Sequence, residues 1–521
     1  MRLKIIRGIL LGLTFFTASC MVGPKYSTPP STPTPPAFKE QPPPEFKDAN
    51  IWKPGEPRDD KLKGNWWEVY KDSQLNSLEE QVRVSNLNIV QAEAQFREAR
   101  AAVRIARADL FPTVTGGASI TRAHVTANRA GSAAPATSTA GGTPIALSPG
   151  TANDFQIPFD ATYEIDAWGR IRNNIAANVR TAQASAADLE TMRLTMHAEL
   201  ATDYFQLRGL DAEKQLLDST VVAYQKALDL TNFRHNQGIA SGVDVEQART
   251  QLETTRAQSV DVGVQRTQLE HAIAVLTGKP PSELNLEQSP LKSLPPPVPI
   301  ALPSELLERR PDIASAERHV ASANASIGIA MAAFYPTISL SGEAGLESAA
   351  LTTLIQWPSR IWSLGASLVQ TLYDAGRRRS MTDQAIATYD ATVAAYRLSV
   401  LTAFQDVEDN LAALRVLEEE ARIQATAVKS AERSLELANN RYVGGITTYL
   451  EVITAQSVAL TNETTAVNLL SRRMTSSVAL IKALGGGWDI SSLPSATDLL
   501  AKTPPEPVPG DATKSSEKPK Q

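Results

Sequence analysis

Apolar and polar residues alternate along four stretches of the chain, at about residues 112–125, 153–166, 336–347 and 361–373. In the segment FQIPFDATYEID, which begins at Phe155, every second residue is apolar and most of the residues between are polar. A two-residue period over ten or more positions predicts a β-strand with one apolar and one polar face. Such a strand fits two settings: a half-buried sheet in water, or a sheet that faces lipid on one side, for which about 9–11 residues suffice.

Long helix-like segments follow the strands. Between Arg172 and Arg234 the chain contains no proline, and a helix over this segment would extend for about 95 Å at about 1.5 Å per residue. Apolar residues recur at steps of three, four or seven, which predicts a coiled-coil type of packing seam at Leu200, Tyr204, Leu207, Leu210, Leu217, Val221, Tyr224 and Leu228. Because no compact domain needs helices of this length, the pattern indicates an elongated molecule.

The chain contains two copies of one unit. Residues 86–114 align with residues 310–338, and after the first strand Gly169-Arg170 corresponds to Gly376-Arg377, 207 residues later. Each copy is predicted to contain a helix, two strands and a long helix pair. The predicted organisation is repeat 1 at 63–280, a Pro-rich linker at 281–302, repeat 2 at 303–490 and a disordered tail at 491–521.

The overall composition constrains the class of protein. The 521 residues are 42% hydrophobic and 21% charged, with 51 Lys and Arg against 56 Asp and Glu. This mildly acidic balance argues against a nucleic-acid partner. Beyond the first twenty residues, no apolar run approaches the roughly 18 residues of a membrane-spanning helix, so any bilayer crossing is expected to use strands.

A targeting segment is predicted at the start of the sequence. MRLKIIRGILLGLTFFTASC carries basic residues, then an apolar stretch, then small residues, which predicts a secretory signal at 1–19. Cys20 is the only cysteine, and Thr-Ala-Ser-Cys resembles a bacterial lipobox, with Thr17 where Leu is usual. The resemblance implies that Cys20 carries diacylglycerol and an N-acyl lipid at the head of a Pro-rich segment, 20–62. Met21, in place of an Asp, points to the outer membrane.

The predicted strands need partners from other chains if they lie in lipid. Two repeats supply four strands, and a four-stranded sheet in hydrocarbon leaves two edges with unpaired backbone groups. Two chains would give eight strands around an interior filled by side chains, and three chains would give twelve strands with room for a channel. The sequence therefore favours a barrel that several chains complete.

Seven short motifs point to one family. They are CMVGPKY at 20–26, WWEVYKDSQLNSL at 66–78, DAWGR at 166–170, ERRPDI at 308–313, YDAGRRR at 373–379, RYVGGITTYLEVITAQ at 441–456 and ALGGGW at 483–488. With these motifs the chain resembles the outer-membrane factors of tripartite efflux systems, the TolC superfamily, and specifically their lipoprotein branch. The resemblance implies an α+β membrane protein that forms a homotrimer. Its twelve-stranded β-barrel, with four strands per chain, would continue into a long α-helical tunnel through the periplasm.

The same resemblance implies the function and the partners. The trimer would be the outer-membrane channel of a tripartite efflux or secretion system, lipid-anchored in the bacterial outer membrane and extending into the periplasm. It would export small molecules received from the periplasm or from an inner-membrane pump, and its periplasmic end would dock a periplasmic adaptor protein. Outer-membrane lipid is a further expected partner. No cofactor is expected apart from the lipid on Cys20.

Two helix–helix turns are candidates for adaptor docking. Gly238 and Gly445 suit tight turns that need a positive φ, and each is followed by an isoleucine, Ile239 or Ile446. An ordinary helical hairpin accounts for the same residues. In the family that the chain resembles, these turns form the periplasmic tips that meet the adaptor.

The segment after each tip is the candidate periplasmic gate. Ser241-x-x-Asp244 and Thr448-x-x-Glu451 occupy equivalent positions, and both fit a capping box in which the acid accepts the N–H of the cap residue. The resemblance implies that Leu450 occludes the tunnel, that Glu451 lies at a constriction, and that Thr454 stands where many relatives have an acid. Under threefold symmetry the Asp244 and Glu451 carboxylates would form a ring that attracts cations, and helix capping alone is the alternative.

Two other classes of function have weaker support. Catalysis is disfavoured, because the five histidines are scattered without ligand spacing and the Gly485-Gly486-Gly487 run lacks the Lys-Ser/Thr of a phosphate loop. A periplasmic adaptor or a structural coiled-coil lipoprotein would also use long helices. Because that alternative gives no role to four amphipathic strands, an outer-membrane channel is the favoured interpretation.

Overall fold

Long helices dominate the computed structural model, which describes residues 21–31, 35, 38–40, 65–126, 150–297 and 306–501. In chain order the helices are α1 (Ser73–Ser85), α2 (Leu87–Ala108), α3 (Arg170–Asn236), α4 (Gly242–Leu276), α5 (Leu306–Arg309), α6 (Pro311–Ala332), α7 (Arg377–Val443), α8 (Tyr449–Ala483) and α9 (Ala496–Leu500). Short 3-10 helices occupy Trp66–Tyr70, Pro281–Glu283, Leu351–Thr353, Trp357–Ser359 and Ile490–Ser492. No helix in the described ranges is both long enough and apolar enough to cross a bilayer.

The described strands form one antiparallel sheet. They are β1 (Thr113–Gly116), β2 (Ser119–Val125), β3 (Gly150–Ile165), β4 (Thr337–Ser348) and β5 (Arg360–Val369). β3 pairs on one side with both β1 and β2 and on the other side with β4, which pairs in turn with β5. The two edges of the sheet are therefore β1 with β2 on one side and β5 on the other.

Pro158 explains why the strand predicted at about 112–125 is divided into β1 and β2. The two segments continue in one register against β3. Between them, Gly117 donates its N–H to the carbonyl of Pro158 over 3.0 Å. Because proline has no N–H to return that bond, the ladder is interrupted opposite it without a change of register.

Strand β5 is shorter than the predicted 361–373. It ends at Val369, whose partner Thr337 is the first residue of β4. Pro336 comes before Thr337 and has no N–H for a ladder bond, so the prediction is wrong for residues 370–373. β3 and β4 lie at 150–165 and 337–348, against the predicted 153–166 and 336–347.

Corresponding helices in the two halves have equal lengths. α3 and α7 each contain 67 residues, and α4 and α8 each contain 35. At about 1.5 Å per residue, the longer helices extend for about 100 Å. α3 packs against α4, and α7 packs against α8, so each half contains one long helical hairpin.

The main hydrophobic core lies near the middle of the long helices, where α1 and α2 pack against α3. Trp66, Leu75, Phe205 and Leu411 are buried there. The predicted packing seam of α3 is buried at Leu200, Tyr204, Leu207, Leu217, Tyr224 and Leu228, and half-buried at Leu210 and Val221. This core holds the two helical hairpins together near the middle of α3 and α7.

A buried charged network fastens the linker between the two halves. Asp211 accepts from Arg208 Nη1 over 2.7 Å and from Arg266 Nε over 2.8 Å, and its side chain is fully buried. Asp211 also accepts the N–H of Ser289 over 3.0 Å, while Arg208 Nη1 donates to the Glu287 carbonyl over 2.7 Å. The linker is therefore held against α3 and α4 by ion pairs and hydrogen bonds that are shielded from water.

The end of the described chain is folded, which corrects the predicted disordered tail at 491–521. α9 buries Leu499 against Val103 of α2 and Val179 of α3. Gln183 Nε2 also donates to the Pro494 carbonyl over 2.9 Å. The prediction is wrong for residues 491–501. Composition alone does not reveal that Leu499 packs against residues far away in the sequence.

Several predicted segments lie outside the described residues. They are the secretory signal at 1–19, Cys20, and parts of the Pro-rich segment, the linker and the tail at 41–64, 298–302 and 502–521. Residues 21–31 are described, and they run along α3 and α6. Asn173 Nδ2 donates to the Val22 carbonyl over 2.9 Å, and Asn324 Nδ2 donates to the Pro24 carbonyl over 3.0 Å. The chain that follows Cys20 is therefore held by helices from both halves.

Candidate functional site

The sheet has one apolar face and one polar face. Its register places on the apolar face Val114, Ile120, Phe155, Ile157, Phe159, Tyr163, Ile165, Ile338, Leu340, Leu346, Trp362, Leu364 and Leu368. Phe159 is 58% exposed, Trp362 77% and Leu364 81%. Proteins in water rarely expose a contiguous apolar surface of this extent, so the face indicates contact with a membrane or with another chain.

The opposite face of the sheet is polar and acidic. Every carboxylate of the described strands lies on it, namely Asp154, Asp160, Glu164, Glu343 and Glu347. Glu164, at the end nearest the helices, pairs with Arg170 at 2.8 Å. Serines and threonines occupy half of the other positions on this face. The arrangement suits a surface in contact with water.

Aromatic side chains mark the junction between the sheet and the helices. Trp168 stacks on Tyr335 with ring centroids 4.8 Å apart, and its Nε1 donates to the Pro336 carbonyl over 2.8 Å. Phe334 lies next to Tyr335, Tyr373 lies in the segment between β5 and α7, and both are exposed. Tyr and Trp are enriched where a bilayer meets water, so this junction resembles a membrane interface.

The residues that follow Cys20 lie at this junction. Val22 donates its N–H to the Trp168 carbonyl over 3.0 Å. Met21 packs against Gly169 so closely that a Cβ added there would lie 2.8 Å from Met21 Cγ. Cys20 itself is outside the described residues, but its neighbour is fixed where the strands give way to helices.

Both predicted tips are helix ends terminated by glycine. φ is 75° at Gly238 and 73° at Gly445. The glycine N–H donates to a carbonyl three residues back, and the N–H of Ile239 or Ile446 donates to a carbonyl five residues back. These two bonds define a Schellman motif, in which glycine is favoured at the position with positive φ. The isoleucines are 66% and 72% exposed, so each tip carries an apolar side chain on its surface.

Equivalent arginines before the two tips have different partners. Arg234 Nη1 donates to the Val443 carbonyl over 2.9 Å, and its guanidinium lies 4.7 Å from the centre of the Tyr442 ring. Arg441 instead pairs with Glu451 at 3.1 Å. Sequence reasoning did not propose either arginine as a site residue. The Arg-x-x-x-Gly spacing that both tips share could have indicated these two arginines.

The predicted capping box forms at only one of the two positions. Asp244 accepts the N–H of Ser241 over 2.9 Å, and the Asp244 N–H donates to Ser241 Oγ over 3.2 Å. Thr448 makes no side-chain cap bond, so the predicted box at Thr448 and Glu451 is wrong. The physical reason is competition, since Arg441 is within reach of the longer Glu451 side chain and pairs with its carboxylate at 3.1 Å.

The remaining candidate gate residues lie at the start of α8. Leu450 is 57% exposed and, with Ile453, lines an open cleft whose other wall includes Val243 of α4. Thr454 Oγ1 donates to the Leu450 carbonyl over 2.9 Å, so its hydroxyl is used within the helix. Burial raises the pKa of neighbouring Tyr449 to about 12, which keeps that side chain neutral. The cleft thus brings Leu450 beside the first turn of α4, where Asp244 lies.

These features agree with the comparison of the chain with known proteins. The profile of the family described as "Outer membrane efflux protein" matches residues 78–279 and 302–486, which is more than half of the chain. The chain belongs to the outer membrane efflux protein family. The resemblance to outer-membrane efflux proteins that the motifs indicated is therefore confirmed, and membership of the lipoprotein branch stays a prediction.

Relatives of this efflux protein match it over most of their length. The "Probable efflux pump outer membrane protein SepC" of Pseudomonas putida is 32% identical over 455 residues, which cover 86% of this chain and 90% of SepC. The "Pyoverdine export outer membrane protein OpmQ" of Pseudomonas aeruginosa is 30% identical over 424 residues, covering 81% and 87%. The solved structure of the outer-membrane channel OprN has a TM-score of 0.77 and 28% identity, covering 90% of this chain and all of that one.

Proposed function

We propose that three copies of this efflux protein form the outer-membrane channel of a tripartite pump, with a twelve-stranded barrel continued by a tunnel of the long helices. This proposal rests on the antiparallel sheet, in which β1 and β2 together occupy one of four strand positions. The sheet has two unpaired edges and an uncovered apolar face. In hydrocarbon, unpaired strand edges are not tolerated, so the sheets of several chains would close edge to edge. The acidic polar face would then line the lumen.

The height of the apolar face supports a place in the bilayer. On β3 it extends from Phe155 to Ile165, a distance of about 33 Å along a strand at about 3.3 Å per residue. Strands in barrels tilt by about 35–45°, which reduces this to about 25 Å along the barrel axis. That value matches the apolar band of outer-membrane barrels. The junction at Trp168 would lie at the periplasmic boundary of the band.

The family and the geometry together support the remaining partners. SepC is named as part of an efflux pump and OpmQ as an export protein, which supports a pump partner for this chain as well. We propose that the tips at Gly238 and Gly445 dock a periplasmic adaptor, and that small molecules enter there from the periplasm or an inner-membrane pump. The cleft beside Leu450 and the Arg441–Glu451 pair would form the gate just above the tips.

A lipid on Cys20 fits the same arrangement. Met21 lies at the sheet–helix junction, so an acyl chain on the preceding residue would enter the periplasmic leaflet at the level of the aromatic side chains. The lipid would add to the membrane anchorage without being needed for it, because the apolar face of the barrel would itself lie in the bilayer.

The Cys20→Ala variant tests the channel against the alternative of a lipid-held periplasmic adaptor or coiled-coil protein. We expect it to stay in carbonate-washed outer membranes and to give the mass of a trimer by native mass spectrometry. Release of Cys20→Ala into the soluble fraction as a monomer would favour the alternative. The intact mass of the wild-type mature chain reports whether Cys20 is acylated.

Docking at the tips is tested with the exposed isoleucines. The Ile239→Glu/Ile446→Glu variant is expected to lower efflux of a fluorescent substrate about tenfold, because a carboxylate placed in an apolar contact would be buried without a partner. The amount of trimer in the membrane should not change, since both side chains are exposed. Val84→Glu, at a residue that is 68% exposed on α1, is the matched control and should retain efflux. Normal efflux from the double variant would contradict docking at this end.

The gate is tested through the arginine that neutralises Glu451. Arg441→Gln should release the Glu451 carboxylate and increase cation preference, measured as a reversal potential across a planar bilayer under a KCl gradient. Arg441→Gln/Glu451→Gln should restore the wild-type value. Arg234→Gln is the control, because the equivalent arginine contacts a carbonyl and a ring instead of a carboxylate. Equal shifts from Arg234→Gln and Arg441→Gln would show that the effect is not specific to Glu451.

A further inference from the structure

The charged side chains of the described strands are sorted by sign between the two faces of the sheet. All five carboxylates lie on the polar face, and the three basic residues lie on the apolar face. Arg122 and His124 alternate in phase with Ile120, and Arg360 lies directly opposite Leu346. The described strands therefore carry basic side chains only on the side that the proposed function turns toward lipid.

The basic residues are also confined to one end of the apolar face. β3 leads into α3, and α6 leads into β4, so the helices join the sheet at one end. Arg122 and His124 lie toward the opposite end of β2, and Arg360 is the first residue of β5. In the proposed orientation this end faces away from the periplasm. Arg122 lies beyond Phe155, the outer end of the apolar band, and Arg360 lies level with Ile157, from which its long side chain can extend to the outer-leaflet headgroups.

No carboxylate of the described residues neutralises these cations. Arg122 is exposed and makes no hydrogen bond or ion pair within the part of the chain that the structure describes. Arg360 Nε donates to the Trp357 carbonyl over 3.3 Å, and its guanidinium covers the Trp357 ring. Trp357 is 77% exposed. A charged group at the edge of hydrocarbon is costly unless it reaches a headgroup of opposite charge.

We propose that Arg122 and Arg360 bind the phosphate groups of the glycolipid in the outer leaflet of the outer membrane. This inference rests on the proposed function, since it requires the apolar face to lie in the bilayer. A guanidinium forms paired hydrogen bonds with phosphate oxygens. Within one chain the two arginines lie three strand spacings apart, about 14 Å, and four residues apart along the strands, about 13 Å, so each would bind its own phosphate. Trp357 packs beside the Arg360 guanidinium, which suits a site at the boundary between headgroups and acyl chains.

Binding of purified lipid A tests this inference. The full chain in detergent is titrated with bisphosphorylated lipid A and with the same lipid A lacking its phosphates, in EDTA, and bound lipid is counted by native mass spectrometry. Arg122→Gln/Arg360→Gln is expected to weaken binding of the phosphorylated form about thirtyfold, since each arginine near an anionic surface contributes roughly fivefold. Arg122→Lys/Arg360→Lys keeps both charges but loses the paired hydrogen bonds, so its binding should be intermediate between those of the wild type and the Gln double variant.

The matched control is Arg377→Gln/Arg379→Gln, which removes two exposed arginines at the helical end of the sheet and should leave lipid A binding unchanged. Equal binding of the two lipid A forms, or equal losses from both Gln double variants, would overturn the inference. Displacement of lipid A by millimolar inorganic phosphate would do so as well, because the site would then be one for a free anion. Absence of the wild-type chain from carbonate-washed membranes would instead contradict the proposed function.

Discussion

The Gly345→Val protein is expected to yield almost no assembled channel. A Cβ at position 345 would lie 2.4 Å from the Ile157 carbonyl oxygen and 2.8 Å from Pro158 Cα, and both contacts are with backbone atoms. β3 cannot move away freely, since its other side is bonded to β1 and β2. The two central strands should therefore separate, and the sheet should fail to form.

The assay for Gly345→Val is the amount of trimer in the outer membrane, read from native gels and from the loss of strand signal in circular dichroism. Gly117→Val is the matched control, because a Cβ at Gly117 would meet no atom within 4 Å and this residue has no positive φ. We expect at least tenfold less trimer from Gly345→Val than from Gly117→Val, given the cost of overpacking backbone against backbone. Comparable amounts from the two variants would mean that β3 and β4 do not approach as closely as the structure shows.

The Asp211→Ala protein is expected to lose about 3–5 kcal/mol of stability, the usual cost of breaking a buried ion pair. Arg208 would lose its buried carboxylate partner, and Ser289 would lose the acceptor of its N–H. Arg266 keeps a second partner, Glu270, at 2.9 Å, so most of the loss should arise at Arg208. The linker between the two halves should then become the first site of cleavage in limited proteolysis.

Chemical denaturation of the detergent-solubilised protein measures this loss. Glu253→Ala is the control, because its partner Arg256 is 47% exposed and the pair lies on the surface. Exposed pairs contribute about 0.2–1 kcal/mol, so Glu253→Ala should unfold close to the wild-type midpoint. If Asp211→Ala shifts the midpoint no more than Glu253→Ala does, the network does not anchor the linker.

The strands and long helices could be predicted because their signal is local. Each strand of the sheet has water on one face and an uncovered apolar surface on the other, so its sequence alternates and can be read without knowing its neighbours. The break between β1 and β2 could not be predicted, because its cause is Pro158 on the adjacent strand. The early end of β5 has the same kind of cause, since β4 supplies no partner before Thr337.

At the candidate gate, two motifs with the same spacing make different contacts. Ser241-x-x-Asp244 and Thr448-x-x-Glu451 have the same spacing, yet only the first forms a capping box. The difference depends on Arg441, which is ten positions before Glu451 and comes near it only when the hairpin is folded. A sequence shows that both acids can cap a helix, but the competing partner belongs to the tertiary structure.

The length of α3 has a mechanical consequence. Its core residues near Leu207 and its end at Asn236 are about 30 residues apart, or about 45 Å at about 1.5 Å per residue. Beyond the core, α3 packs against the other long helices through Tyr224 and Leu228, so the outer segments of the two hairpins act together as one lever arm. A rotation of about 5° at the anchor would displace the far end by about 4 Å, more than the width of a water molecule, at the cost of only sub-ångström shifts among the anchoring side chains. The bond from Arg234 to Val443 and the buried cluster that includes Tyr224 and Tyr442 couple the two hairpins near their tips, so one tip cannot travel without carrying the other or breaking these contacts.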